Sequence, residues 1–179
     1  MVALAGRRPD APDAERPRFP ASEFPRVRRE LAALLQPGVQ ALVCSAACGA
    51  DLLALEAAGA AGIEGHVVLP FDARTFRATS VVDRPGDWGP LYDRLIAEAG
   101  RSGRLEVGTG DPGDPEVYLR ANERIVQLAV ELAGEDGARR PRAAVVVWEG
   151  APRGDNDATE DFRRRAEAGG FTLTVVRTV

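Results

Sequence analysis

The chain has 179 residues, 45% of them hydrophobic and 28% charged, with a formal net charge of -4. That length gives room for one substantial core and predicts a single domain over residues 1–179. The composition excludes collagen-like, disordered and membrane classes, and apolar runs of about seven residues, each broken by Gly or a polar side chain, leave no candidate membrane span.

Two cysteines, Cys44 and Cys48, are too few to staple a secreted scaffold of this size. The N-terminal MVALAGRRPDAPDAERPRF has neither a charged n-region nor a long apolar h-region, so a cytoplasmic location with reduced thiols is expected. Arg7, Arg8, Arg16, Arg18, Arg26, Arg28 and Arg29 crowd the first thirty residues, and Glu149, Asp155, Asp157, Glu160 and Asp161 cluster near the other end. A basic patch can meet phosphates. No basic stripe is joined to a reading helix, however, and nucleic acid is not the expected partner.

In chain order, MVALAG reads as a first short strand. The Pro-rich RRPDAPDAERPRFPASEF is a loop long enough to suggest a functional lid. A helix follows from Pro25 to Leu35, with Leu31, Leu34 and Leu35 on its buried stripe. QALVCS is a near-continuous apolar strand of the kind a parallel sheet buries on both faces. Residues 50–60 form an Ala-rich helix and GHVVLPF a third strand. ARTFRATSVVDRPGDWGP reads as irregular. A helix from Leu91 to Ala99 leads to the short strand RLEVG. The next helix runs from Pro115 to Ala133, with Leu119, Ile125, Leu128 and Leu132 as its apolar positions. RAAVVVWEG is the strongest strand in the chain, followed by the loop APRGDN, a helix over 157–168 and the final strand FTLTVVRTV. This alternation predicts a three-layer α/β sandwich around a mostly parallel sheet. Ligands of such sheets sit beyond the carboxyl ends of the strands, where most of the Gly, Asp and Arg without a core explanation gather.

Three stretches at those ends carry candidate chemistry. In CSAACGADLLALEAA, small residues at Ser45, Ala46, Ala47 and Gly49 would let a phosphate or ribose approach the backbone, and the helix start supplies amides. Asp51 would either cap that helix or hold a ribose hydroxyl. Close helix–sheet packing explains the same small residues without a ligand. In VVVWEGAPRGDNDATEDF, Gly150 and Gly154 permit sharp turns, Thr159 could grip a phosphate and Glu149 could take ribose hydroxyls. Asp157 followed by Glu160 also has the spacing of a capping box. A carboxylate cluster is a magnesium donor set as well, although no bound metal or cofactor is expected. YLRANERIV puts Tyr118, Asn122 and Ile125 on one helical face, two of them polar on an apolar stripe. Beside them Glu123 is either a glycosidic acid or nucleophile or a solvated helix residue. Cys48, at a helix start, has no histidine close in sequence, His66 being the only one. Trp88 either stacks on a base or anchors its loop, and Trp148 is expected to be packed with its N–H partnered.

Together, SAACGADLLALEAA, HVVLPFD, FRATSVVDRPGDWGPLYDRL, YLRAN and AAVVVWEG…RGDNDAT resemble the SLOG superfamily over residues 6–176. These are Rossmann-like domains related to the LOG phosphoribohydrolases and the DNA-processing protein DprA. The likeness is nearest to a branch of bacterial domains found beside signalling modules. The resemblance implies a nucleotide-derived small molecule as partner, a homo-oligomer as an option, and a site drawn from Gly6, Arg7, Ser45, Gly49, Asp51, Gly150, Gly154, Asp157 and Thr159. The phosphoribohydrolase signature Pro-Gly-Gly-x-Gly-Thr-x-x-Glu would put its glutamate three residues beyond Thr159, where this chain has Phe162. The expectation is therefore a nucleotide-sensing module. An N-glycosidase using Glu123, Glu149 or Asp157 is the alternative.

Overall fold

The structure, a computed structural model, describes residues 1–134 and 141–179. Six strands form one sheet: β1 Val2–Gly6, β2 Ala41–Cys44, β3 Glu64–Leu69, β4 Leu105–Val107, β5 Ala143–Trp148 and β6 Thr172–Arg177. Their order is β4-β3-β2-β1-β5-β6 and every pairing is parallel. Six helices connect them: α1 Phe24–Leu34, α2 Ala50–Ala60, α3 Ala73–Ser80, α4 Gly89–Arg101, α5 Val117–Gly134 and α6 Ala158–Ala168.

The central strands β1, β2 and β5 are apolar throughout because alternate side chains feed two different cores. From β1 and β5, Val2, Leu4, Val145 and Val147 enter the core under α1, α2 and α4. Ala3, Ala144, Val146 and Trp148 enter the core under α5 and α6. Helices thus cover both faces of a parallel sheet. The architecture is a three-layer Rossmann-like sandwich.

Most expected elements fall within a few residues of those observed, with two corrections. Residues 73–80, expected to be irregular, form α3, because Asp72 accepts a hydrogen bond from Thr75 N at 2.9 Å and caps the helix. Phe76 and Ser80, one turn apart, are its buried face. In α1 the buried stripe is Val27, Leu31 and Leu35, whereas Leu34 is 37% exposed. The helix lies so that i, i+4, i+8 positions face α2, which turns the intervening Leu34 outward.

The chain moves outward from β1 to β4 along one side, then returns through α5 to place β5 on the other side of β1. Consequently the segments leaving β1 and β5 diverge to opposite faces of the sheet, which opens a crevice at their carboxyl ends. Among the described residues seven polar side chains are buried: Arg7, Asp51, Ser80, Asn122, Asp157, Thr159 and Thr178. All of them lie at that carboxyl edge, which singles it out from the rest of the core.

The joint between β1 and α2 explains two glycines by packing. A Cβ on Gly6 would stand 2.5 Å from Ala50 Cβ and 2.6 Å from Val147 Cβ. Gly49 has φ +89°, and a Cβ there would meet Arg7 O at 2.8 Å, so both sterics and backbone conformation require glycine. Ala50 N donates to Arg7 O at 3.2 Å and closes the joint. Gly6→Ala is expected to cost about 1–3 kcal/mol through overpacking, seen as a lower urea midpoint with unchanged slope. An unchanged midpoint would show that the joint has slack.

Candidate functional site

Six of the expected ligand-binding residues line one cleft of about 270 Å³: Gly6, Ser45, Asp51, Tyr118, Asn122 and Thr159. It lies between the ends of β1 and β2, the first turns of α2, α5 and α6, and the last turn of α3. Phe76, Tyr118 and Ile125 provide apolar surface, and Arg8 and Arg153 stand at its rim.

Asp51 is the unusual group in this cleft. It is 6% exposed, and it does not cap α2, whose cap position is held by Gly49. Instead its Oδ2 accepts from Ala47 N at 3.2 Å, while its Oδ1 has no hydrogen-bond partner among the described residues. Burial pushes its carboxyl up to about 7, against the opposing pull of the Ala47 amide and of Arg8. Ser45 Oγ, in the same cleft, is likewise buried and without a partner. Buried acceptors are rarely left unpaired, and two of them lining one cleft mark where a donor would be held.

Three of the other polar side chains lining the cleft, on Ser80, Tyr118 and Asn122, are engaged within the fold. Tyr118 Oη and Ser80 Oγ lie 3.0 Å apart. Asn122 Nδ2 donates to Ala158 O at 2.7 Å and to Asp161 Oδ2 at 3.0 Å, tying α5 to the start of α6. Helix-start amides are also taken. Cys48 N donates to Ser80 O at 3.0 Å, and Asp157 Oδ1 accepts from Thr159 N at 2.9 Å and Glu160 N at 3.4 Å. Asp157 therefore caps α6. Glu160 does not complete a capping box but pairs with Arg163 and Arg164.

Arg7 sits behind the cleft, 1% exposed, as the hub of a buried ion-pair network. Its Nε donates to Glu149 Oε2 at 2.6 Å, its Nη1 to Asp157 Oδ1 at 2.6 Å, and its Nη2 to Glu149 Oε1 at 3.1 Å and Ala151 O at 2.9 Å. The guanidinium also lies 5.6 Å from the Trp148 ring centroid. Arg18 adds a second cation on Glu149. Burial opposes ionisation of Asp157, but the Arg7 guanidinium and the Arg153 amide outweigh it and hold the carboxyl at about 2. Glu149 is held below its usual range in the same way, with burial overcome by Arg7. Arg7 is raised: burial disfavours its charge, and Asp157 and Glu149 more than compensate. The network clamps β1, the β5–α6 loop and α6 together.

Comparison with protein-family models, with curated proteins and with solved structures finds no match to this chain. What the site can do thus rests on its own geometry.

Among the three carboxylates singled out for hydrolysis, Glu149 and Asp157 are committed to Arg7, and neither lines the cleft. Glu123 is on the outer side of α5, 3.6 Å from Arg165 and bonded to Gln127 at 3.2 Å. Gly150 and Gly154 belong to the β5–α6 loop and do not line the cleft. Gly150 makes room for Arg177, whose Nη1 donates to Glu149 O at 2.5 Å. Cys48 is fully buried, and desolvation pushes its thiol up to about 12, which disfavours the nucleophilic thiolate. Trp88 anchors its loop: its Nε1 donates to Pro85 O at 2.9 Å and its ring meets Phe24 edge-on at 5.3 Å. Trp148 is packed as expected, but its Nε1 has no acceptor among the described residues. Sequence reasoning missed Phe76 and Ser80 because α3 was not expected. The Asp72–Thr75 spacing and the Phe76–Ser80 turn were the available signal. No group of three or more metal-type ligands occurs among the described residues, and no helix there is long and apolar enough to cross a membrane.

Proposed function

We propose that the chain binds a nucleotide-derived small molecule, with the nucleoside part in the cleft at the carboxyl ends of β1 and β2. The observation that carries this reading is the pair of unpartnered buried acceptors, Asp51 Oδ1 and Ser45 Oγ. Ribose hydroxyls or base N–H groups are donors of the kind they require. Phe76, Tyr118 and Ile125 offer a face for the base, and Arg8 and Arg153 an anchor for phosphate. The resemblance of GADLLALEAA and VWEG to SLOG domains supports the same ligand class. Binding is preferred over glycosidic cleavage because, among the described residues, Asp51 is the one carboxylate lining the cleft, and that chemistry ordinarily uses two.

The test is a thermal-shift screen against nucleosides, nucleotides, cyclic nucleotides and ribose phosphates, with mass spectrometry on each hit. A ligand at about 100 times its Kd should raise Tm by roughly 5–10 °C and be recovered intact. The shift should be lost in Asp51→Asn. Recovery as free base and sugar would replace sensing with hydrolysis. A full shift in Asp51→Asn would remove the cleft from the account.

A further inference from the structure

Beside the cleft lies a second concavity of about 380 Å³, walled by the loop after β1 and by the α3–α4 connection. The ion-paired Arg7 and Arg8, Arg16, Arg18, Arg84 and Arg153 line it, and Arg8 and Arg153 are walls of the cleft as well. In a chain with net charge -4, six guanidinium groups around one hollow are a local reversal of sign. Of the carboxylates at this hollow, Glu15 has no partner among the described residues, and the others are engaged. Asp10 accepts the Arg18 and Phe19 amides, at 3.0 and 3.1 Å, and shapes the loop. Asp83 holds Arg8 at 2.8 Å, and Glu149 is shared between Arg7 and Arg18.

Several of these arginines lack strong partners. Among the described residues, no hydrogen bond or ion pair holds Arg16. Arg84 Nε is buried without a hydrogen-bond partner, and its nearest carboxylate oxygen, on Asp83, is 3.5 Å away. Arg153 Nε stands 3.8 Å from Asp157. Burial and the adjacent Arg7 both lower the Arg153 pKa, so an anion at this spot would relieve an unfavourable concentration of positive charge. Size points the same way. The cleft alone falls just under the roughly 300–1,000 Å³ of ordinary small-molecule sites, and the two hollows together fall within it.

Resting on the nucleoside-in-cleft reading, we infer that this arginine basin receives a phosphoanhydride chain, so that the ligand carries two or more phosphates. Guanidinium groups bind phosphoryl oxygens through paired, charge-assisted hydrogen bonds. The terminal phosphates reach Arg16 and Arg84 beyond the shared Arg8–Arg153 rim. A monophosphate would stop at that rim.

Calorimetric titration of the full chain with each nucleoside and its mono-, di- and triphosphate tests this, with inorganic pyrophosphate as a further probe. Affinity should rise ~10-fold or more from mono- to triphosphate and fall with added salt, and pyrophosphate should compete with the triphosphate. Arg16→Ala combined with Arg84→Ala should flatten the series to within about threefold. Arg163→Ala, on α6 and paired with Glu160 and Glu167 away from both hollows, should leave the series as it is. A flat wild-type series with a nucleoside still bound would overturn the basin and leave the cleft reading standing. A series flattened equally by Arg163→Ala would reduce the effect to bulk charge and also overturn it. No binding by any nucleoside or nucleotide would end both readings together.

Discussion

Arg7→Met should lower the unfolding free energy by about 3–5 kcal/mol at pH 7, because it leaves the buried Asp157 without its close cation and part-buried Glu149 with Arg18 alone. That is a large share of the 5–15 kcal/mol typical of a folded domain. Methionine keeps much of the apolar stem that packs on Trp148, so the loss reports the charge more than the volume. The pH dependence follows from Asp157, held at about 2. A carboxyl depressed in the folded state contributes its stability above its unfolded value, near 4, and loses it as pH falls toward 2. Glu149 is displaced in the same direction. In Arg7→Met that depression is relieved, so the gap between variant and wild type should narrow on acidification from pH 6 to pH 3. Urea unfolding at both values measures it. A gap that stays constant would mean the substitution acts through packing and that the ion pairs contribute nothing net.

Asp51→Asn should change stability in the opposite sense. The folded-state carboxyl is raised to about 7. Wild type therefore has its full stability below the unfolded value near pH 4, and loses part of it as pH climbs to about 7, with no further change above. Asparagine removes the titration and still accepts from Ala47 N. At pH 8 the variant should be more stable by about 1–3 kcal/mol, or roughly 2–12 °C in Tm for a chain of this size. At pH 5 the difference should largely vanish. Gaining stability while losing ligand is the behaviour of a group kept for binding at the expense of the fold. Equal stability at pH 5 and pH 8 would show that Asp51 is not buried as an ion.

These two residues also show how far the chain could be read unaided. The run AAVVVW has no polar position, so it could only be a strand covered on both faces, and β5 is that strand. The stretch ADLLALEAAGA, rich in helix formers and preceded by a glycine, is α2 at the boundaries expected. Repetition of such strand–helix units carried the layer architecture. Local pattern failed at α3, where a short polar segment is helical because of one aspartate cap and because Phe76 finds the Phe71 and Tyr92 rings. It failed again at Leu34, since only the packing partner decides which side of a broad apolar stripe faces inward.

At the carboxyl edge, sequence assigned residue types to a region but not roles within it. Gly6 and Gly49 invited a ligand reading, and the fold uses both for the contact between β1 and α2. Arg7 looked available to a phosphate and Asp157 to glycosidic chemistry. They are 150 residues apart and neutralise each other at 2.6 Å. Asp51 read either as a cap or as a partner for a ribose hydroxyl; it does not cap α2 and keeps an acceptor unpaired inside the cleft. The covalent chain dictates where strands and helices form, because periodicity and propensity act over a few neighbouring residues. Which charges are cancelled and which are left to meet a ligand depends on contacts between segments more than a hundred residues apart, and these exist only once the sheet has brought β1, β2 and β5 side by side.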